Sequence, residues 1–391
     1  MIVVWRVVDS CNLSCPFCAF DKRLGFPRTQ TAPGDVIRFA HVLADHQALT
    51  GERVLLSWLG GEPLRWKPLT ALTHAVRALG LEVSATTNGS TLGSPAMRRH
   101  LCDAYKELTI SIDGFSDFHD AMRGWAGGFE KLRLWVPTLS SEARRLGSRL
   151  KLRVNVVLMR QNVKEFGSLC RELANWGIAE ITYNQLGGRD RLEFYPAHRL
   201  TRTDVDLLER QLPEIRQDLL DKGVVLVGGE EYLTRIRAST LDERIPIDDC
   251  GPGESFLFVD EVGHISPCSF TTIDYGIDFR NVTRTIDLAA LPSRFRELRR
   301  VRRSTQCDNC LSTQVCGKFK RNSDETLHKE RKQHDHRAMA MVLIIIGYGP
   351  PWTIAAMPGA LFWESPRISR LTEALRLIRL RLRGLRFPNY R

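Results

Sequence analysis

Three cysteines fall within eight residues near the start of the chain, in the run Cys11-Asn-Leu-Ser-Cys15-Pro-Phe-Cys18. Three thiolates on one short loop can ligate three irons of a cubane cluster and leave the fourth iron open to a small molecule. The protein then tunes the potential through burial and hydrogen bonding. A zinc site is the alternative, but structural zinc wants a fourth ligand nearby and usually paired two-residue gaps. The next histidines, His41 and His46, fall in a predicted helix rather than beside the loop. Five further cysteines, Cys250, Cys268, Cys307, Cys310 and Cys316, form a second group far along the chain. Gaps of this kind suit chelation, whereas disulfide cysteines of a secreted domain are scattered. The first residues run into Cys11 without a signal-peptide apolar stretch, so a reducing cytoplasm is expected. Cys102 and Cys170 stand in helix-like segments and read as small buried hydrophobes.

The elements that must position the first loop alternate regularly. Extended apolar runs at 2–8, 54–58, 83–87, 107–112, 151–158 and 180–185 are separated or followed by amphipathic stretches at 33–47, 67–79, 94–105, 128–146, 163–176 and 203–221. Six strand–helix units in a row predict an α/β fold with a parallel sheet, open or partly closed into a barrel, with its chemistry at the carboxyl ends of the strands. After residue 221 the runs shorten and glycine and proline punctuate them, which places a domain boundary there. A second domain is expected over 222–335 and a third segment over 336–391. Within the last, residues 338–363 carry no charge, yet six glycines and prolines interrupt them. A segment packed on the protein and a membrane-associated anchor are the two readings.

The length of 391 residues leaves room for two domains, and 43% hydrophobic with 26% charged residues is ordinary for a folded chain. Of the net charge of +11, the eight Arg and one Glu of residues 365–391 supply +7, so the body of the chain does not suggest nucleic-acid binding. The basic tail suits an anionic lipid surface or an acidic partner, or is a solvated helix face.

With its three-then-two cysteine spacing and Phe17 before the last cysteine, the loop resembles that of the radical S-adenosylmethionine (SAM) enzyme superfamily. The resemblance continues at the later strand ends, over about 215 residues. Gly60-Gly61-Glu62-Pro63 follows the second run and matches a motif whose backbone and carboxylate hold the SAM amino group. Glycines admit a close backbone approach, and a carboxylate suits an ammonium. Thr86-Thr87-Asn88-Gly89 and Ser111-Ile112-Asp113-Gly114 follow the third and fourth runs, and Arg123-Gly124 comes next. The resemblance implies that Ser111 and Arg123 contact the SAM carboxylate and that Asn155, Gln185 and Leu186 line ribose and adenine. It implies a partial (β/α)6 TIM-like barrel in which a reduced [4Fe–4S] cluster on Cys11, Cys15 and Cys18 cleaves SAM to a 5′-deoxyadenosyl radical.

The second cysteine group resembles the SPASM and twitch extensions of these enzymes, which carry auxiliary [4Fe–4S] clusters. A full SPASM domain has seven cysteines; here Lys320 takes the place of one, and none follows Cys316. One auxiliary cluster is therefore expected, on Cys250, Cys268 and two of Cys307, Cys310 and Cys316, with zinc as the alternative for the Cys307–Cys310 pair. Ser269 stands where anaerobic sulfatase maturases place a carboxylate base, so Asp260, Glu261 and His264 are the candidates for a base. The arginines between 294 and 303 are read either as a docking face for a flavodoxin or ferredoxin reductant or as a solvated face. The expected activity is oxidation or bond formation on a peptide, as in maturation of ribosomally made peptides, or on a small natural-product intermediate. Only ten residues precede Cys11, so no peptide-recognition domain is expected there, which favours a small substrate or a separate recognition protein as partner. The competing readings are a dehydrogenase or epimerase of a sugar-derived molecule and a non-catalytic iron–sulfur electron carrier.

Overall fold

A computed structural model of the chain describes residues 1–187, 189, 191–247 and 249–310. Six strands, β1 (Ile2–Val8), β2 (Leu55–Gly60), β3 (Glu82–Thr87), β4 (Glu107–Ser111), β5 (Lys151–Leu158) and β6 (Glu180–Gln185), pair in parallel in sequence order. A short β7 (Val225–Val227) adds to β6. On the other side of β1, β8 (Phe256–Val259) adds in parallel, and β9 (His264–Ser266) and β10 (Ile277–Asp278) follow antiparallel. Among the described residues this makes one sheet in the order β10-β9-β8-β1-β2-β3-β4-β5-β6-β7. The expected boundary after residue 221 falls at the end of the helix Arg202–Asp221, and the strands beyond it join the same sheet. The described residues lie within one compact unit, Met1–Arg321. Residues 338–391 and Cys316 lie outside the described residues.

Successive side chains of a strand point to opposite faces, and the burial pattern follows that period. Val3, Trp5 and Val7 of β1, Leu56 and Trp58 of β2, and Leu108 and Ile110 of β4 are fully buried. They join one core with helices such as Gly128–Arg145, which buries Phe129, Leu132, Val136, Leu139 and Ala143 at three- and four-residue spacing. The alternate residues form the inner face of the partial barrel. Register pairs Ser57 with Ser84, Thr86 with Thr109, and Ser111 with Asn155, so this wall is rich in hydroxyl and amide groups. Near the amino ends of the strands, Arg153 pairs with Glu107 at 3.0 Å and with Glu180, and Lys106 with Glu82 at 3.1 Å. Ion pairs thus occupy one end of the wall and the motif loops the other.

Within residues 1–221, two α-helices were not legible in advance. Ser116–Arg123 is short, and its apolar residues Phe118 and Met122 supply too little periodicity to mark it; Gly124 ends it in the left-handed region at φ 58°. Tyr195–His198 is a single turn. Expected helix 163–176 begins as the 3-10 turn Val163–Glu165 and continues as Phe166–Ala174.

Candidate active site

The loop of Cys11, Cys15 and Cys18 leaves the carboxyl end of β1 and is held from three sides. From β2, Gly61 N donates to Val8 O at 2.8 Å and Glu62 N to Ser10 O at 2.9 Å. The approach is so close that a Cβ on Gly60, at φ 149°, would lie 2.1 Å from Val8 O, and one on Gly61 would lie 2.2 Å from Ser10 O. These two positions require glycine for that reason. From the end of β3, Asn88 Nδ2 donates to Asn12 Oδ1 at 3.0 Å and reaches Cys11 Sγ at 3.8 Å. From the helix Ser116–Arg123, Arg123 O accepts from Ser14 N at 3.3 Å and faces Cys15 Sγ at 3.9 Å. Leu13 N and Phe20 N donate to Cys11 Sγ at 3.5 Å and Cys18 Sγ at 3.4 Å. Such N–H···S contacts lower the charge density on a ligand sulfur.

Burial pushes all three thiols above their ordinary range, Cys15 to about 12, and the neighbouring thiols add to it. Three thiolates gathered out of water need positive charge, which the Arg123 guanidinium supplies in part and which iron would supply directly. The donor set therefore fits an iron–sulfur cluster. Among the described residues no three His, Cys, Asp or Glu side chains gather to share one metal ion; a cubane gives each thiolate its own iron.

Around the loop, the structure gives the motif residues distinct roles. Glu62 is buried, and its carboxylate accepts from Thr87 Oγ1 at 2.8 Å, Leu64 N at 3.1 Å and Asn88 N at 2.7 Å. It thereby ties the end of β2 to the end of β3, with Pro63 opening the 3-10 turn Pro63–Arg65 beside it. Burial raises its carboxyl to about 7, against the pull of those three donors. Asp113 is fully buried; its Oδ2 accepts from Arg123 Nε at 2.7 Å and lies 2.7 Å from Nη2, while Oδ1 accepts from Val157 N at 2.8 Å. Burial works against the Arg123 charge, but Asp113 and the thiols of Cys15 and Cys18 outweigh it and hold the guanidinium above its usual range. Arg123 thus bridges Asp113 and the cysteine loop, with its Cζ 5.4 Å from the centroid of the Phe17 ring. His119, four residues earlier, accepts from Asp113 N through Nδ1 at 3.2 Å; burial lowers its pKa to about 3, so it is neutral.

Ser111 and Asn155 are register partners, and Asn155 Oδ1 accepts from Asn184 Nδ2 at 2.7 Å. Phe17 and Leu186 meet in an apolar cluster with Met159, Phe194 and Tyr195, against which Phe118 and Met122 also pack. Phe17 and Phe194 ring centroids are 6.3 Å apart. Met159, Phe194 and Tyr195 were not picked out from the sequence, because Met159 and Phe194 stand in connecting loops and Tyr195 opens a single-turn helix, whose path only the fold reveals.

The second cysteine group also converges. The Cys268, Cys307 and Cys310 thiols all act electrostatically on Cys250, whose own thiol burial raises to about 11. Ile247 N donates to Cys307 O at 3.2 Å and Arg235 Nη1 to Cys310 O at 2.8 Å. Gln185, at the end of β6, and Cys310 line the same small cavity with Tyr232 and Arg235. Asp260 takes up the turn between β8 and β9: Oδ1 accepts from His264 N at 2.7 Å and Val262 N at 3.2 Å, and Oδ2 lies 3.1 Å from His264 Nδ1. Glu261 pairs with Arg6. Of the arginines between 294 and 303, Arg296 pairs with Glu254, Arg300 with Glu297 at 2.7 Å and Arg303 with Asp308 at 2.8 Å, so local acids offset much of that face. Among the described residues no helix is long and apolar enough to cross a membrane.

Comparison with known proteins agrees with this geometry. The family model described as the radical SAM superfamily matches residues 5–171. The chain is similar to the AdoMet-dependent heme synthase of Oleidesulfovibrio alaskensis, with 23% identity over 81% of each chain. It is 22% identical to the mycofactocin maturase MftC of Mycobacterium tuberculosis over 80% of this chain and 76% of that one. Among solved structures, Streptococcus suis SuiB bound to its precursor peptide SuiA matches with a TM-score of 0.53 and 17% identity, over 80% of this chain and 70% of that one. SuiB bound to S-adenosylmethionine matches with a TM-score of 0.52 and 18% identity, over 69% of this chain and 60% of SuiB. With the cysteine loop at the end of β1 and the glycine, Asn88 and Arg123 contacts gathered around it, residues 5–171 match the radical SAM superfamily, whose enzymes use a [4Fe–4S] cluster and S-adenosylmethionine.

Proposed function

We propose that the protein is a radical SAM oxidoreductase that modifies a peptide, by oxidation or bond formation, with one auxiliary [4Fe–4S] cluster on Cys250, Cys268, Cys307 and Cys310. When bound, the first cluster and SAM supply a 5′-deoxyadenosyl radical that removes a hydrogen atom from the substrate. The chain's own part is to hold and orient. Gly60 and Gly61 let β2 press against the cysteine loop, Arg123 and Asn88 brace it, and the cluster of Phe17, Leu186 and Phe194 offers an apolar surface suited to adenine. Ser111 and Asn155 present polar groups on the inner wall beneath.

The observation that carries the proposal is the cavity shared by Gln185 and Cys310, which brings Cys310 of the second cysteine group against the end of β6. A cluster there would stand close to the site of radical formation, where net oxidation needs an electron acceptor. The peptide reading is supported by relatives described as the mycofactocin maturase and the PqqA peptide cyclase and by the SuiB–SuiA complex. A flavodoxin or ferredoxin would deliver the priming electron, and a separate recognition protein would present the peptide.

The test is 5′-deoxyadenosine release, read by mass spectrometry, from anaerobically reconstituted protein with SAM and a strong reductant, beside a Cys15→Ala variant. Release is expected from the parent and not from the variant. A precursor peptide is expected to raise release and to lose mass in steps of two hydrogens. Stimulation by a tetrapyrrole instead, with every peptide inert, would overturn the peptide reading.

A further inference from the structure

The two cysteine groups receive hydrogen bonds of different charge. At the first, the Cys11 and Cys18 sulfurs accept from neutral donors, the backbone amides of Leu13 and Phe20. At the second, Cys250 Sγ accepts from a guanidinium: Arg299 Nη1 lies 3.6 Å from it. Arg299 does not reach there by chance rotation of a surface side chain. It projects from the helix Leu291–Val301, its side chain is 10% exposed, and Nη2 donates to Ile247 O at 2.9 Å. The group is thus fastened at one nitrogen and directed at sulfur with the other. The more exposed Asp249 carboxylate sits 3.8 Å from the same Nη1 and dilutes its charge.

We propose that Arg299 is a positioning residue that raises the reduction potential of the auxiliary cluster through its hydrogen bond to Cys250. The inference rests on the reading of Cys250, Cys268, Cys307 and Cys310 as cluster ligands. A reduced cluster carries one more negative charge than an oxidised one. A fixed cation on a ligand sulfur stabilises the reduced form more, and a neighbouring anion does the opposite. The Arg299 side chain is only 10% exposed, so salt screens it less than a surface arginine, although Cys250 itself is exposed. Arg is suited to the task because its donors are rigidly forked, so one can be anchored on a carbonyl while another faces the thiolate. Thr271 Oγ1, 3.3 Å from Cys268 Sγ, adds a neutral contact on another of the four cysteines. The consequence is a cluster tuned to take up one electron rather than to give one.

The experiment uses the full chain with Cys11, Cys15 and Cys18 all changed to Ala, so that any iron bound belongs to the second group. Iron content is measured after anaerobic reconstitution, and the midpoint potential is then read by EPR-monitored redox titration. About four irons per chain are expected. Arg299→Gln is expected to lower the midpoint, Arg299→Lys to lower it less, and Asp249→Asn to raise it. Midpoints unmoved in both Arg299→Gln and Asp249→Asn would overturn the inference while leaving the auxiliary cluster in place. Should Arg299→Gln fail to retain iron, Asp249→Asn decides alone: a raised midpoint supports the inference and an unmoved one refutes it. A triple-Ala chain that binds no iron would overturn the auxiliary-cluster reading itself.

Discussion

Replacing Asp113 with Asn leaves the shape of the side chain intact and removes one charge from the most enclosed ion pair beside the cysteine loop. In the parent, Asp113 is 0% exposed and the Arg123 side chain 10%. The carboxylate spends Oδ2 on Nε and Nη2 of Arg123 and Oδ1 on Val157 N. An asparagine can satisfy Val157 N with its oxygen, but its amide then points two hydrogens at the guanidinium. Breaking a buried pair by removing one partner costs about 3–5 kcal/mol, because the remaining charge has lost its counter-ion without regaining water. For a folded unit of about 310 residues each kcal/mol corresponds to roughly 1.5 °C of melting temperature, so Asp113→Asn is expected to melt roughly 4–8 °C below the parent. Removing the stranded charge as well, in Asp113→Asn with Arg123→Met, should recover much of that loss, since an apolar replacement of a buried pair is often nearly neutral. Circular-dichroism melts of the reconstituted protein at one scan rate measure this cycle, and iron content should fall in parallel because Arg123 O is bonded to the loop at Ser14 N. A single variant melting within about 2 °C of the parent, or a double variant losing the sum of both singles, would refute the claim that the pair is buried and coupled.

Two further outcomes follow from the same region. Gly61→Ala places a Cβ 2.2 Å from Ser10 O and 2.7 Å from Asp9 O; moving the backbone to relieve this should cost about 1–3 kcal/mol and reduce both iron retention and 5′-deoxyadenosine release, and unchanged iron content would count against it. The Glu62 carboxyl sits at about 7 when folded, against an ordinary 4.5. The folded state therefore favours its protonated form. Its contribution to stability is greatest below 4.5 and is lost as pH rises toward 7, by about 3 kcal/mol. Relative to Glu62→Gln, the parent should lose that amount between pH 4 and 8. Bound SAM, whose ammonium favours the carboxylate, should shrink the loss; a pH profile of thermal stability with and without SAM would show no such change if Glu62 does not face the ligand.

Much of this site was legible in the sequence because its motifs encode backbone requirements. Gly60 and Gly61 are written into the chain since no side chain fits between β2 and the cysteine loop, and Cys11, Cys15 and Cys18 carry their spacing in plain view. The period-two burial of β1 to β6 is likewise a local property. What escaped notice depends on distant partners. Asp113 stands in the motif after the fourth run, and nothing local reveals that its carboxylate closes on Arg123. Arg123 itself was placed as a motif without the helix Ser116–Arg123 that carries it, as that helix has few apolar residues to announce it. Arg299 stood in a run of arginines read as a face, whereas the fold separates one directed at Cys250 from others paired with surface acids. The run Phe256–Val259 was assigned to a second domain, and its parallel pairing with β1 has no signature short of the sheet itself.

That pairing sets a timetable for synthesis. β1 is the strand that presents the cysteine loop, and in the folded protein both its edges are covered, by β2 after some 50 residues and by β8 only after some 250. At the usual pace of translation the wait is roughly 12–50 s. During that interval β1 offers an unpaired edge of apolar, β-branched residues, the kind of template on which other chains can add strands. The loop that must receive iron is thus mounted on the last of the six strands β1 to β6 to be enclosed. Cluster insertion is best served after the chain has passed residue 259, and an early arrest of synthesis would leave a product prone to aggregate rather than a smaller working barrel.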